Sequence, residues 1–103
     1  MSRVHLAENM IATGYSRWMQ TESGNLKTWH VTLEGTGALT ATVAIEVSND
    51  GVNPVSTALY TFTLSGNDLV SEGKALFDNW VYYRAYVSAL TGTDAKVNLN
   101  AGV

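Results

Sequence analysis

Apolar and polar side chains alternate along most of this chain, with the period of two that is typical of β-strands. The longest such run extends from Trp80 to Leu90. One side of the run carries Val81, Tyr83, Ala85, Val87 and Ala89, and the other carries Trp80, Tyr82, Arg84, Tyr86, Ser88 and Leu90. The first set suits a core. The second places an arginine between two tyrosines, and burying so polar a face would cost free energy. We therefore predict a central strand with one buried face and one face that contacts a partner.

The same alternation predicts further strands on both sides of this run. They cover residues 15–20, 26–34, 39–48, 57–64 and 95–100, with a weaker edge strand or irregular link over 69–77. Trp29 shares its stripe with Val31 and Leu33, so we assign it to the core. Segments rich in Gly, Asn and Asp separate the strands, and residues 35–37 are predicted to close a hairpin.

Short strands between tight turns predict an all-β fold. A chain of 103 residues is long enough for one domain with a single core. We predict a single antiparallel β-sandwich, jelly-roll or Ig-like, of about seven or eight short strands. This domain spans residues 14–103, and residues 1–13 form an N-terminal arm that can hold a first strand.

Composition and charge narrow the classes of function. A net charge of −3 and a pI near 5.1 argue against a nucleic-acid partner, because phosphate backbones need clustered Lys and Arg. No stretch approaches the ~20 apolar residues that cross a bilayer, so we expect no membrane partner. The chain has no cysteine, and its first residues lack the basic and then apolar order of a secretion signal. Folding in a reducing cytoplasm is therefore unconstrained.

Catalytic motifs are not found in the sequence. His5 and His30 lie on different segments without a ligand-like spacing of carboxylates. Residues 48–53 offer oxygen atoms to a calcium ion but lack a dense acidic pattern, so a plain turn is favoured. A phosphate-binding loop, a nucleophile elbow and paired carboxylates are missing as well. We predict no enzyme, no cofactor and no catalytic or metal-binding residue.

Binding or assembly is the remaining class of function. Tyr and Arg are enriched at protein contacts, so the central strand supplies the strongest interface candidates. The predicted interface residues are Tyr82, Arg84, Tyr86, Trp18, Val4 and Leu6. Arg84 could instead stack between the two neighbouring tyrosine rings without any partner. The tryptophans and tyrosines could also build a platform on which sugars stack.

Four segments resemble small virion proteins of tailed bacteriophages. They read Val-Ala-Ile-Glu-Val-Ser-Asn-Asp-Gly at 43–51, Thr-Phe-Thr-Leu-Ser-Gly at 61–66, Trp-Val-Tyr-Tyr-Arg-Ala-Tyr-Val at 80–87 and Leu-Thr-Gly-Thr-Asp-Ala-Lys-Val at 90–97. The resemblance covers about residues 28–103. Such proteins fold as β-sandwiches or jelly rolls, and some decorate or cement the capsid.

This resemblance implies a capsid decoration or cement protein that stabilises the shell through protein–protein contacts. Its expected partner is the major capsid protein or another virion protein, and it is expected to be a homo-oligomer assembled in the host cytoplasm. The N-terminal arm, residues 1–11, is expected to reach a neighbouring subunit.

Two alternatives stay open. One is a head–tail or tail component of the virion. The other is a carbohydrate-binding β-sandwich module, because the Ser-Asn-Asp-Gly turn and the later aromatic-x-Arg strand also resemble discoidin-like carbohydrate- or lipid-binding sandwiches. In both resembling groups an aromatic residue often follows the turn, whereas residues 52–55 here read Val-Asn-Pro-Val. This departure weakens an aromatic platform at that loop.

Overall fold

A computed structural model describes residues 3–20 and 26–102 of the chain, and all regular secondary structure in these ranges is β-strand. The strands are β1 (Arg3–Met10), β2 (Gly14–Tyr15), β3 (Met19–Gln20), β4 (Leu26–Ser48), β5 (Tyr60–Phe77) and β6 (Tyr82–Gly102). The prediction of an all-β protein is confirmed.

The strands form one open antiparallel sheet in the order β1-β6-β4-β5, with β2 and β3 also paired to β6. β6 is therefore an interior strand, as predicted, although it begins at Tyr82 and continues to Gly102. The predicted first strand within the N-terminal arm is present as β1. It pairs with the far end of β6 in its own chain, where Arg3 lies opposite Gly102. Residues 3–10 are therefore part of the sheet of their own chain.

Three long strands replace several of the predicted short ones. β4 runs for 23 residues and continues through residues 35–37 without reversing direction, so the predicted hairpin there is wrong. β5 and β6 likewise continue through their glycine-containing segments. The pairing register of β4 shifts between Glu34 and Thr40, which marks a bulge and a bend instead of a reversal. The predicted sandwich of seven or eight short strands is accordingly not confirmed.

The bends bring distant parts of the sheet together. Trp29 lies near the start of β4, whereas Tyr83 pairs with Val47 near its end. A straight strand from Trp29 to Val47 would span about 60 Å. The rings of Trp29 and Tyr83 are nevertheless 5.2 Å apart between centroids. The sheet therefore turns back on itself, and its two halves enclose the core.

Two glycines make room for this bend. A Cβ atom on Gly35 would lie 2.7 Å from the carbonyl oxygen of Thr93 and 2.9 Å from Leu39 Cδ2. A Cβ atom on Gly92 would overlap Leu39 Cδ2, and Gly92 has a φ of +140°, which favours glycine. Leu39 is buried in the space that the two glycines leave open.

The alternation of the sequence correctly predicts most of the core. The buried apolar residues include Trp29, Val31, Leu33, Leu39, Ala41, Val43, Ile45, Val47, Phe62, Leu64, Tyr83, Ala85, Val87, Ala95, Val97 and Leu99. Val81 and Ala89, predicted to share the buried side of the central run, are exposed. Val81 precedes β6, and a register shift after Thr42 turns Ala89 outward. A local bulge thus changes which side chains face the core.

The predicted turn after β4 is present and is organised by Asp50. Its Oδ1 atom accepts hydrogen bonds from the backbone N–H groups of Asn53 and Val52, each at 2.8 Å, and from the Ser48 hydroxyl. Its Oδ2 atom accepts one from the Asn53 side-chain amide at 3.1 Å. These donors hold the pKa of Asp50 well below its usual range, the backbone N–H of Asn53 contributing most.

We expect the Asp50→Asn variant to lose part of the acid sensitivity of the protein. A carboxylate whose pKa is lowered by folding stabilises the fold above its unfolded pKa of about 3.9, and this stabilisation is lost as the pH falls through the folded pKa. Thermal unfolding followed between about pH 5 and pH 2 should therefore show a shallower fall of Tm for Asp50→Asn than for the wild type. The control is Asp94→Asn, at an exposed position. A slope identical to that of the wild type would contradict the role of Asp50.

Candidate functional site

Residues 14–20 lie along the outer edge of β6 and hold side chains over one of its faces. Gly14 pairs with Val87, and Tyr15 pairs with Tyr86. The backbone N–H of Ser16 donates to the carbonyl of Ala85 at 2.9 Å, and the Ser16 hydroxyl accepts the Ala85 N–H at 2.8 Å. This pairing places Tyr15 directly beside the even-numbered face of β6.

Arg84 occupies the centre of this face and is covered on both sides by aromatic rings. Its Cζ atom lies 4.1 Å from the ring centroid of Tyr15 and 4.4 Å from that of Trp18. The ring of Tyr15 also stacks on Tyr86, with centroids 4.4 Å apart and an interplanar angle of 13°. These three contacts join Tyr86, Tyr15, Arg84 and Trp18 into one cluster, which we call the aromatic–guanidinium stack.

An acidic side chain on the neighbouring strand neutralises the stack. Glu46 of β4 lies opposite Arg84 in the sheet register. Arg84 Nε donates to Glu46 Oε1 at 2.7 Å, and each of the two side chains is 17% exposed. An arginine held by ion pairing at its edge and by rings on its faces keeps one orientation.

The structure brings some of the predicted interface residues together and separates others. Trp18, Arg84 and Tyr86 join in the stack. The alternative in which Arg84 stacks on rings of its own chain is therefore observed, with Tyr15 and Trp18 as the rings in place of Tyr82 and Tyr86. The ring of Tyr82 instead lies over the turn after β4, where a Cβ atom on Gly51 would be 3.2 Å away.

The two interface candidates on β1 also differ in their positions. Val4 is half-buried and lines a groove beside the stack. Leu6 is 5% exposed and belongs to the hydrophobic core, and it also lines the floor of the same groove.

Tyr15 was missed by the sequence reasoning, although it is the middle ring of the stack. Strict alternation over residues 15–20 puts Tyr15 and Trp18 on opposite faces of one strand. In the structure this segment forms two strands of two residues each, and the chain between them turns Trp18 toward Arg84. The available signal was the presence of two aromatic residues, Tyr15 and Trp18, on a short and largely polar segment.

A groove with a volume of about 710 Å³ runs between β1 and residues 14–20. Its walls include Val4, Met10, Tyr15, Arg17, Met19 and Gln20. Tyr15 is 56% exposed and is shared by the groove and the stack. The groove is lined by apolar side chains together with polar and charged ones, among them His5, Glu8 and Arg17, and Tyr15 joins it to the stack.

The two histidines were the other candidate functional groups in the sequence. His30 Nε2 lies 2.7 Å from the Ser71 hydroxyl oxygen, and His5 lies 3.9 Å from Glu8. Within residues 3–20 and 26–102, no group of three His, Cys, Asp or Glu side chains is arranged to hold a metal ion. No helix long and apolar enough to span a membrane occurs in that part of the chain.

Comparison of the chain with protein-family models, with curated proteins and with solved structures found no match. Its function is therefore inferred from its own geometry.

We expect the Arg84→Lys variant to loosen residues 14–20 from β6. A lysine keeps the positive charge but lacks the flat guanidinium that fits between two rings. Amide hydrogen exchange at Ser16, which bonds to Ala85 across this junction, should accelerate about tenfold, equivalent to about 1.4 kcal/mol.

Arg17→Lys is the matched control, because Arg17 is exposed on the same segment. Equal protection of Ser16 in the wild type and Arg84→Lys would show that the stack does not hold this segment.

Proposed function

We propose that this protein is a virion structural protein that acts through protein–protein contacts, of the capsid decoration or cement type. The observation that carries the proposal is the aromatic–guanidinium stack, with a 56% exposed Tyr15 at its centre. Tyrosine, tryptophan and arginine in one well-packed cluster are the residues that dominate binding energy at protein interfaces.

The rigidity of the stack supports a binding role further. Arg84 is already fixed by Tyr15, Trp18 and Glu46. Side chains that are ordered before binding lose less conformational entropy when a partner docks. The adjoining groove adds a concave wall of mixed apolar and polar side chains, which can receive a side chain or a short segment of a partner.

The proposed setting follows from the resemblance to phage virion proteins. The two halves of the sheet that face each other across the core support the finer proposal of a sandwich, jelly-roll or Ig-like. The proposed partner is the major capsid protein or another virion protein. Assembly would take place in the host cytoplasm, with the protein present as a homo-oligomer in the virion.

The test begins with virions purified from cells that produce this protein. Mass spectrometry should find it at a fixed ratio to the major capsid protein, and electron microscopy of labelled particles should place it on the capsid. Label at the neck or tail would favour a head–tail or tail component instead. Absence from the particles would overturn the proposal.

Binding to isolated shells tests the surface itself. Purified protein should cosediment with capsids that lack it and should saturate. The Tyr15→Ala variant should lose this binding, whereas Thr63→Ala, at an exposed position on β5, should retain it. Binding that is unchanged by Tyr15→Ala would remove the stack from the interface.

A carbohydrate-binding role is the second candidate, and the aromatic rings of the stack favour it. Tyr15 is 56% exposed and Trp18 and Tyr86 are half-buried, and an exposed aromatic ring can lie against a sugar ring. A glycan array followed by tryptophan fluorescence titration decides this point. Saturable glycan binding that Trp18→Ala abolishes, together with no capsid binding, would replace the first proposal.

A further inference from the structure

The outer edge of β5 is a second surface suited to binding. β5 ends the sheet and pairs with β4 alone in the described part of the chain. From Leu69 to Phe77 its pairing with β4 has no register shift. The opposite edge strand, β1, has two register shifts in a shorter span. A regular edge with free backbone N–H and C=O groups is a template for another strand.

Large apolar side chains are exposed at both ends of this edge. Leu69 is 61% exposed and Phe77 is 82% exposed, and Leu26, which pairs with Phe77, is 50% exposed. These side chains add little to the core of a single chain. Exposed apolar side chains at both ends of an unpaired edge gain burial when another strand pairs with that edge.

We propose that β5 pairs in antiparallel fashion with β5 of a second copy of this chain, about a two-fold axis at Gly73. In this register Leu69 lies opposite Phe77 of the second copy, and Val70 lies opposite its Leu76. Glu72 lies opposite Lys74 of the second copy. By symmetry each of these pairs occurs twice, so the edge matches itself in both charge and hydrophobicity.

The charges permit this register and disfavour its neighbours. A shift that moves the axis to residue 72 would set Glu72 against its own copy, and an axis at residue 74 would do the same with Lys74. Like charges directly opposite each other are destabilising. An axis midway between two residues would set even-numbered positions opposite odd-numbered ones. The inner face of one copy would then lie on the outer side of the other. Among these neighbouring alignments, Glu72 and Lys74 thus favour the one with its axis at Gly73.

The inner faces also match in the proposed pairing. Val70 and Leu76 pack against the core of their own chain, so even-numbered positions of this segment face inward. The proposed register sets even positions opposite even positions, which keeps both cores on the same side of the joined sheet. Lys74, whose ammonium lies 5.4 Å from the Tyr60 ring, is exposed and can reach Glu72 of the second copy.

This inference does not depend on the virion role, because it concerns the β5 edge and purified protein alone. The experiment measures the mass of the full chain in solution by sedimentation equilibrium over a range of concentrations. The wild type should reach twice the chain mass of 11.1 kDa. E72K and K74E should each weaken dimerisation at least about tenfold, because each sets like charges opposite one another.

Two further samples test the register. An equimolar mixture of E72K and K74E should form a heterodimer, and the double variant E72K/K74E should dimerise like the wild type. E8K is the matched control, since Glu8 is an exposed glutamate on the opposite edge strand, and it should dimerise normally. Circular dichroism verifies that each variant is folded.

A wild type that stays monomeric at every concentration would overturn the proposal. So would a dimer that both single charge changes leave intact, since that dimer would use another surface. Either result would leave the capsid-binding test unaffected. That test depends on the aromatic–guanidinium stack, which is built on β6 and residues 14–20 and not on β5.

Discussion

Replacing Lys27 with methionine is expected to lower the free energy of unfolding by about 3–5 kcal/mol. The side chain of Lys27 is 0% exposed, and that of its partner Asp78 is 3% exposed. Lys27 Nζ donates to the backbone carbonyl of Asp78 at 2.9 Å and lies 3.6 Å from its Oδ1 atom. Removal of the ammonium leaves a buried carboxylate without its counter-ion. Urea unfolding at neutral pH measures the loss.

A double-mutant cycle shows whether the lost ion pair causes this effect. Lys27→Met combined with Asp78→Asn removes both charges, so the double variant should be more stable than Lys27→Met alone. The Tyr83 hydroxyl donates to Asp78 Oδ1 in the wild type, and an asparagine oxygen can still accept this bond. Lys96→Met, at an exposed site on β6, is the control and should cost at most about 1 kcal/mol. A double variant less stable than Lys27→Met would contradict this account.

The second large effect is expected at the bend of the sheet. Gly92→Ala should lower the free energy of unfolding by about 2–5 kcal/mol, the sum of an unfavourable φ and an overpacked neighbour. The added methyl group would overlap Leu39 Cδ2 and lie 3.1 Å from the carbonyl oxygen of Ala38. Leu39 is 1% exposed and is part of the packed core. Thermal and urea unfolding both report the change.

Gly14→Ala provides a matched control for the bend. Gly14 has the same φ of +140°, but a Cβ atom there would have no atom within 4 Å. Both variants suffer the backbone strain, and Gly92→Ala alone suffers the steric overlap. We expect Gly92→Ala to be less stable than Gly14→Ala by about 1–3 kcal/mol. Equal losses would show that Leu39 adapts and that only the backbone angle matters.

The buried stripes were predictable because alternation is a local property of strands. Trp29, Val31 and Leu33 lie in the core as expected. Lys27 lies two residues before Trp29, so strict alternation puts it on the same inward face. Its burial nevertheless depends on Asp78, which is 51 residues away. The pairing of a charge with a distant partner is not visible in the period of the sequence.

The candidate surface was predicted in part for the same reason. Arg84 and Tyr86 share a strand face, and alternation identified that face correctly. Arg84 is covered by the rings of Tyr15 and Trp18, which come from a segment paired to the edge of β6. Strict alternation had placed these two rings on opposite faces. A contact between strands that are far apart in the sequence depends on the pairing of the sheet.

By itself the sequence determined that this chain forms strands and which side chains most of them bury, because each residue's side is set by its immediate neighbours. Only the tertiary structure decided whether a glycine segment reverses the chain or bends it. Residues 35–37 satisfy either geometry locally, and the choice rests on Leu39 packing into the space beside Gly35 and Gly92. The same long-range packing decided that Arg84 is held by Tyr15, Trp18 and Glu46.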